Sequence, residues 1–171
     1  MAEMKQDELN AYSAACRALQ DGKQSVLLST LNQAGNPEIS YAPAVRDGQG
    51  CFYIFVSELA AHTANLLGHP NCSVLFIQDE QESRNIFARE RLTYQCDVEK
   101  VERDSAKGVE ILEQMENKLG QTVKLLRGLP DFHLFRLKPT SGSYVVGFGK
   151  AFEVDPASGE LIHLSEERVK R

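Results

Sequence analysis

No stretch of this 171-residue chain is apolar for long enough to cross a bilayer: the longest, at 52–56 and 72–77, fall far short of the roughly 20 residues that a spanning helix needs. The first eight residues, Met1-Ala2-Glu3-Met4-Lys5-Gln6-Asp7-Glu8, are acidic where a secretory leader is basic and then apolar. The expectation is a cytoplasmic protein with no membrane partner. Runs of basic residues are also missing. With 19 Lys and Arg against 24 Asp and Glu, a formal charge of −5 and a pI near 5.4, nothing is clustered to neutralise phosphates, which argues against nucleic acid as a partner. Cys16, Cys51, Cys72 and Cys96 form no C-x-x-C pair and have no histidines at ligand spacing. That pattern excludes a disulfide framework or a zinc site and predicts buried thiols. G-x-S-x-G, the P-loop, H-E-x-x-H and a G-x-G-x-x-G opening a helix are absent as well. Gly147-Phe148-Gly149 carries only two glycines of a nucleotide motif, and a strand bulge explains it better.

What is present is an ordinary folding composition, 42% hydrophobic and 25% charged, with no repeat or linker to divide it. One domain over residues 1–171 is expected, with a helical arm at about 7–19 where Leu9, Tyr12, Cys16 and Leu19 make a stripe. Residues 25–31 and 38–45 predict a hairpin, and Pro43, which lacks a ladder donor, marks an edge or an opening. The aromatic run 51–57 predicts a central strand, followed by a short helix over 58–67 with Ser57 as N-cap. Further strands are expected at 72–78, 92–102, 131–137, 143–154 and 161–164, a second helix at 104–119 and a helical turn at 121–128. About seven strands joined by tight turns make an α+β fold that is mainly antiparallel β and closed into a barrel.

Three stretches carry residues suited to chemistry. Arg89 and Arg91, if both lie on a strand, point to one face and form a two-pronged anion clamp; a solvated strand end paired with Glu82 or Glu90 is an equal alternative. The turn from Ser57 into the short helix offers amide donors, with His62 as an added donor or an ordinary structural histidine. In 131–137, alternation places Asp131, His133, Phe135 and Leu137 on one face, so that Asp131 and His133 either form a bonded pair or line an exposed strand.

Taken together, Ser40-Tyr41-Ala42-Pro43, the helix around His62, Phe87-Ala88-Arg89-Glu90-Arg91-Leu92-Thr93, Val101-Glu102-Arg103-Asp104-Ser105, Asp131-Phe132-His133-Leu134-Phe135-Arg136-Leu137 and Gly147-Phe148-Gly149-Lys150-Ala151 resemble the HutZ/HugZ haem-utilisation family. That family is part of the larger group similar to pyridoxamine 5′-phosphate oxidase, and the match runs in order from about residue 20 to 164. The resemblance implies an FMN-binding split β-barrel that forms a homodimer, with ligand sites in the grooves between subunits, filled by FMN in the wider group and by haem in this branch. The oxidase pattern holds the FMN phosphate with a basic pair and a Gln, whose positions here are Ala61-His62 and Arg91. The haem branch uses an Asp, matched by Asp131, beside an axial His from the tail; after His163 no histidine follows, which leaves His163 or His133 to substitute. By the same resemblance Arg89 and Arg91 hold phosphate or propionates, and Tyr41, Ala42, Pro43 and Phe148 supply apolar walls. Backbone at Val56 and Ser57 meets a flavin, His62 and Asn65 belong to the cofactor helix, and Asp131 with His133 governs any iron-centred step. Three functions are consistent with this: a haem-degrading oxidoreductase, an FMN-dependent oxidoreductase without the pyridoxamine phosphate specificity, and a non-catalytic haem carrier.

Overall fold

The computed structural model describes residues 4–164; the tail at 165–171, the segment in which the resemblance implies an axial histidine, lies outside the described residues, as do residues 1–3. In chain order the elements are α1 (Gln6–Asp21), β1 (Ser25–Leu31), β2 (Pro37–Arg46), β3 (Phe52–Ser57), α2 (Ala61–Gly68), β4 (Asn71–Ile77), β5 (Arg91–Val101), α3 (Ala106–Leu119), α4 (Thr122–Arg127), β6 (Phe132–Gly147), β7 (Lys150–Val154) and β8 (Leu161–His163). Short 3-10 turns occupy Glu80–Glu82 and Ile86–Ala88. The chain divides into two compact units that share strands β4, β5 and β6. One takes residues up to Lys23, Leu75–Tyr94 and the chain from Ser141 on; the other takes Gln24–Val74 and Gln95–Thr140. All four cysteines are free and buried, as their apolar surroundings predict. No helix among the described residues is long and apolar enough to cross a membrane.

In the second unit β1 and β2 form the expected hairpin, closed by Asn32, whose Oδ1 accepts the amides of Ala34 and Asn36. Pro43 stands where β2 changes partner. Ser25 opposite Pro43 is the last pair with β1, and Ala44 opposite Ile54 is the first with β3. A residue without an amide hydrogen disrupts neither ladder at such a handover. Strand β3 also pairs with β6, and this closes the ring β3-β2-β1-β4-β5-β6 into a six-stranded antiparallel barrel. Phe52, Ile54 and Val56 lie opposite Leu137, Phe135 and His133, while Tyr53 and Phe55 turn the other way onto Ile111, Leu112 and Met115 of α3. Burial on both faces explains why the run is apolar throughout rather than alternating. Its one polar group, the Tyr53 hydroxyl, donates to Asp47 Oδ2 at 3.0 Å. Helix α3 begins at Ala106, two residues later than the pattern from 104 suggests, because Ser105 Oγ accepts the Gly108 amide and so caps it.

In the first unit Tyr12 of α1 packs its ring 5.2 Å from that of Phe152, and the Tyr144 hydroxyl bonds to Glu90. The strands expected at 131–137 and 143–154 are cut differently. Strand β6 runs unbroken through Lys138 to Gly142, and the break falls at Gly147-Phe148-Gly149, where Gly149 at φ +67° makes the reversal into β7. The polar, proline-bearing middle of β6 falls between the two expected strands, but partners on either side of it, β3 and then β7, hold it extended. A bulge does occur, between Val145 and Gly147. Eight strands result among the described residues, one for each of the expected ranges.

A side chain at Gly108 has no room. A Cβ there would lie 2.1 Å from the Glu102 carbonyl oxygen and 2.8 Å from that of Arg103, both backbone atoms. Gly108→Ala is therefore expected to cost about 1–3 kcal/mol of stability, read as a lowered urea midpoint; an unchanged midpoint would show that the start of α3 can shift freely.

Candidate functional site

The end of the β3–β6 ladder brings together the residues with the most chemistry. Ser57 lies opposite Phe132, and the Glu58 amide donates to the Asp131 carbonyl at 2.9 Å. Around this closure two side-chain pairs form. Ser57 Oγ donates to Asp131 Oδ2 at 2.6 Å and accepts the Leu59 amide at 3.1 Å. His133 Nε2 sits 2.7 Å from Glu58 Oε1, with the imidazole mostly buried and the carboxylate exposed. The pairing weighed between Asp131 and His133 does not form. Each reaches across to β3 instead, because the antiparallel register presents Ser57 and Glu58 to them at hydrogen-bonding distance. His133 does share a face with Phe135 and Leu137, as alternation predicts.

Ser57 does not cap a helix starting at 58. A turn intervenes, with the Ala60 amide bonded to the Ser57 carbonyl, and α2 starts at Ala61 with no side-chain cap. Thr63 Oγ1 donates to the same Ser57 carbonyl at 2.6 Å, so helix and rim are tied together.

A second polar group lies on the outside of β2. Thr30, Glu38, Ser40, Tyr41 and His62 line a cavity of about 570 Å³. His62 Nδ1 is 2.9 Å from Ser40 Oγ, while Nε2 is sealed from solvent and has no partner. Burial holds the imidazole below its usual pKa, in the neutral form. Asn65 donates to Thr30 Oγ1 at 3.0 Å and to Glu38 Oε2 at 2.8 Å, and Asn32 donates to Glu38 Oε1 at 3.0 Å. These donors lower the Glu38 pKa and keep a carboxylate in the cavity. Of the proposed wall residues, Ala42 is core, at 1% exposure, whereas Tyr41 and Pro43 are open, and the side chain of Val56, whose backbone was expected to meet a flavin, is core at 5%.

The other candidates belong to the first unit. Arg89 and Arg91 do not share a strand: Arg89 follows a 3-10 turn, and β5 begins at Arg91. Arg89 is committed, donating through Nε to the Gln78 carbonyl at 2.6 Å and through Nη1 to Glu80 at 3.0 Å. Arg91 donates one Nη1 bond to the Arg89 carbonyl at 3.0 Å, so the two guanidinium groups are not parallel prongs. Phe148 is exposed at the β6–β7 turn. His163 Nε2 lies 3.1 Å from the Gly149 carbonyl, with its ring edge-on to Phe152.

Sequence reasoning missed Ser57 as the partner of Asp131, Glu58 as the partner of His133, and Ser40 as the partner of His62. The first two pairs span 74 and 75 residues of chain, and only the strand pairing reveals them.

Comparison with known proteins gives a consistent result. The family profile described as pyridoxamine 5′-phosphate oxidase matches residues 12–146. The haem oxygenase HutZ of Vibrio cholerae is 35% identical over 173 aligned positions, covering 98% of this chain and 96% of that protein. The HutZ crystal structure, described as that of a haem storage protein, superposes with a TM-score of 0.74 at 33% identity, covering 79% of this chain and 96% of the other. Campylobacter jejuni ChuZ superposes with a TM-score of 0.82 at 29% identity, over 95% of this chain and 65% of that one.

The buried imidazole makes a pH prediction. The unfolded chain takes up a proton near 6.5 that folded His62 resists, so its contribution to stability is complete above pH 6.5 and is lost as pH falls through the depressed native pKa. Urea midpoints of the wild type and His62→Gln are expected to converge between pH 7.5 and pH 5.5, whereas parallel profiles would contradict the assignment.

Proposed function

The chain belongs to the pyridoxamine 5′-phosphate oxidase family, in the group of the haem oxygenase HutZ, and on that footing we propose that it binds haem and opens the porphyrin with oxygen and a reductant, as a step in using haem iron. The observation that carries this is the rim of β3 and β6, where the Asp131 carboxylate matched by the family resemblance is held in one orientation by Ser57. Bound haem would supply the iron at which oxygen is reduced. Asp131, pinned through Oδ2, keeps Oδ1 as an acceptor for a water or an imidazole N–H, a fixed proton-holding position beside the ligand. Arg91 is assigned to the carboxylates of the porphyrin edge, and Arg89 steadies the segment that carries it. Exposed Tyr41, Pro43 and Phe148 offer apolar and aromatic cover. Haem needs cations for its carboxylates and flat apolar contact, and these are the residue types that the family resemblance assigns to it.

FMN suits the chain less well. At the positions of the oxidase phosphate pair stand Ala61, with no charge, and His62, kept neutral by burial, and the same cavity holds the Glu38 carboxylate. A phosphate dianion would meet one fixed negative charge and no positive one. No step is assigned to a flavin.

A homodimer is part of the proposal. Leu27 and Tyr41 are paired across β1 and β2, with Ile39 two positions along on the same face, and all three are exposed, Ile39 at 82%. An apolar strip of this kind fits a second copy of the chain. The four free thiols suit a reducing compartment, here the cytoplasm.

Titration of the purified protein with haemin is expected to saturate at one per chain with a sharpened Soret band, which ascorbate and oxygen then bleach. A band that persists under those conditions would make the protein a carrier. No saturable band would end the haem proposal. Arg91→Ala is expected to weaken haemin binding by about tenfold or more.

A further inference from the structure

Given the function proposed above, on which this inference rests, the open question is what fixes Asp131 where it stands. Asp131 ends the link Gly128-Leu129-Pro130-Asp131 between α4 and β6, one residue before the first ladder pair, Phe132 with Ser57. No strand partner holds it. We infer that Arg103, on the turn between β5 and α3, is the residue that positions Asp131 and acts on the reaction through it.

Three backbone carbonyls of this one segment accept hydrogen bonds from Arg103. Nη1 donates to the Leu129 carbonyl at 2.8 Å and to the Phe132 carbonyl at 3.2 Å, and Nη2 donates to the Arg127 carbonyl. The guanidinium therefore grips the chain on both sides of Asp131. The Arg127 carbonyl ends α4, where no further turn of helix follows to donate to it, and a cation suits that end. The arginine is itself anchored: its guanidinium lies over the Phe55 ring of β3 at 5.6 Å, and that ring packs 5.1 Å from the ring of Phe132. Toward β3, the Asp131 carbonyl accepts the Glu58 amide at 2.9 Å, and its Oδ2 accepts from Ser57 Oγ at 2.6 Å. Arg103 thus sets the backbone and Ser57 the carboxylate. A lysine cannot replace this grip, because its ammonium is a point charge on a flexible stem, whereas the donors of a guanidinium lie in one plane at fixed spacing.

The test compares full chains of the wild type, Arg103→Lys, Arg103→Ala and Asp131→Asn in two arms. In haem-free protein, Arg103→Lys is expected to speed amide hydrogen exchange at Glu58 and to leave it unchanged at Asn32, whose amide is bonded to the Asn36 carbonyl in the β1–β2 turn. With haemin, Arg103→Lys should bind as the wild type does yet bleach roughly 10–100-fold more slowly under ascorbate and oxygen. Added methylguanidinium should restore part of the rate to Arg103→Ala. In the Asp131→Asn background Arg103→Lys should cost nothing further, since the two residues act as a unit, a result that general loosening of the fold does not give. Unchanged exchange at Glu58 in Arg103→Lys overturns the inference. So does wild-type bleaching in that variant, or a loss of rate that persists undiminished in the Asp131→Asn background. Failure of the wild type to take up or bleach haemin overturns instead the function on which the inference rests, and the exchange arm, which needs no haem, still decides whether Arg103 holds the segment of Asp131. Should Arg103→Ala not fold, as judged by circular dichroism, Arg103→Lys carries both arms.

Discussion

The pairing of β3 with β6 is the constraint on which the rest of the structure depends. It joins residues 52–57 to 132–137 in register and turns an open sheet into a closed ring. It also forces β3 to be buried on both faces, between the barrel interior and α3, with Phe52, Tyr53, Ile54, Phe55 and Val56 all within 8% exposure. Each such side chain contributes on the order of 1.5–3 kcal/mol when buried, so the closure is also a principal source of stability. A slip of one residue would exchange the two faces and place Phe135 and Leu137 outside the barrel.

The same ladder builds the functional rim. Its last pairs set Ser57 and Glu58 against the chain from Asp131 to His133, and two hydrogen-bonded pairs follow from that register alone. Carboxylates appear there in two different roles: Asp131 is held by a hydroxyl and keeps an oxygen free, while Glu58 holds an imidazole. Charge is arranged differently in the cavity on the outer side of β2. There two asparagines keep Glu38 ionised and burial keeps His62 neutral, so that cavity is negative where the oxidase pattern is positive.

Much of this was legible in the sequence where the signal is local. The β1–β2 hairpin, the central aromatic strand, the α3 stripe and the buried cysteines follow from periodicity and turn chemistry within a window of ten to twenty residues. The errors arise where distant pairing decides. The middle of β6 carries Lys138, Pro139 and Thr140 and falls outside both expected strands, yet it is held extended by partners on either side. Arg89 looked free beside Arg91 because its acceptors, Gln78 and Glu80, lie across a loop. Asp131 and His133 were recognisable as chemistry-bearing residues, but their partners were not, since no local rule connects positions 57 and 58 with 131 and 133.

The most direct test of the account is the position of the iron. Crystals grown with haemin and measured at the iron absorption edge locate that atom independently of any fit to the porphyrin. The account predicts an anomalous peak at the β3–β6 rim, beside Asp131. A peak in the cavity of Ser40 and His62, or at a site that neither Asp131 nor His133 approaches, would contradict it.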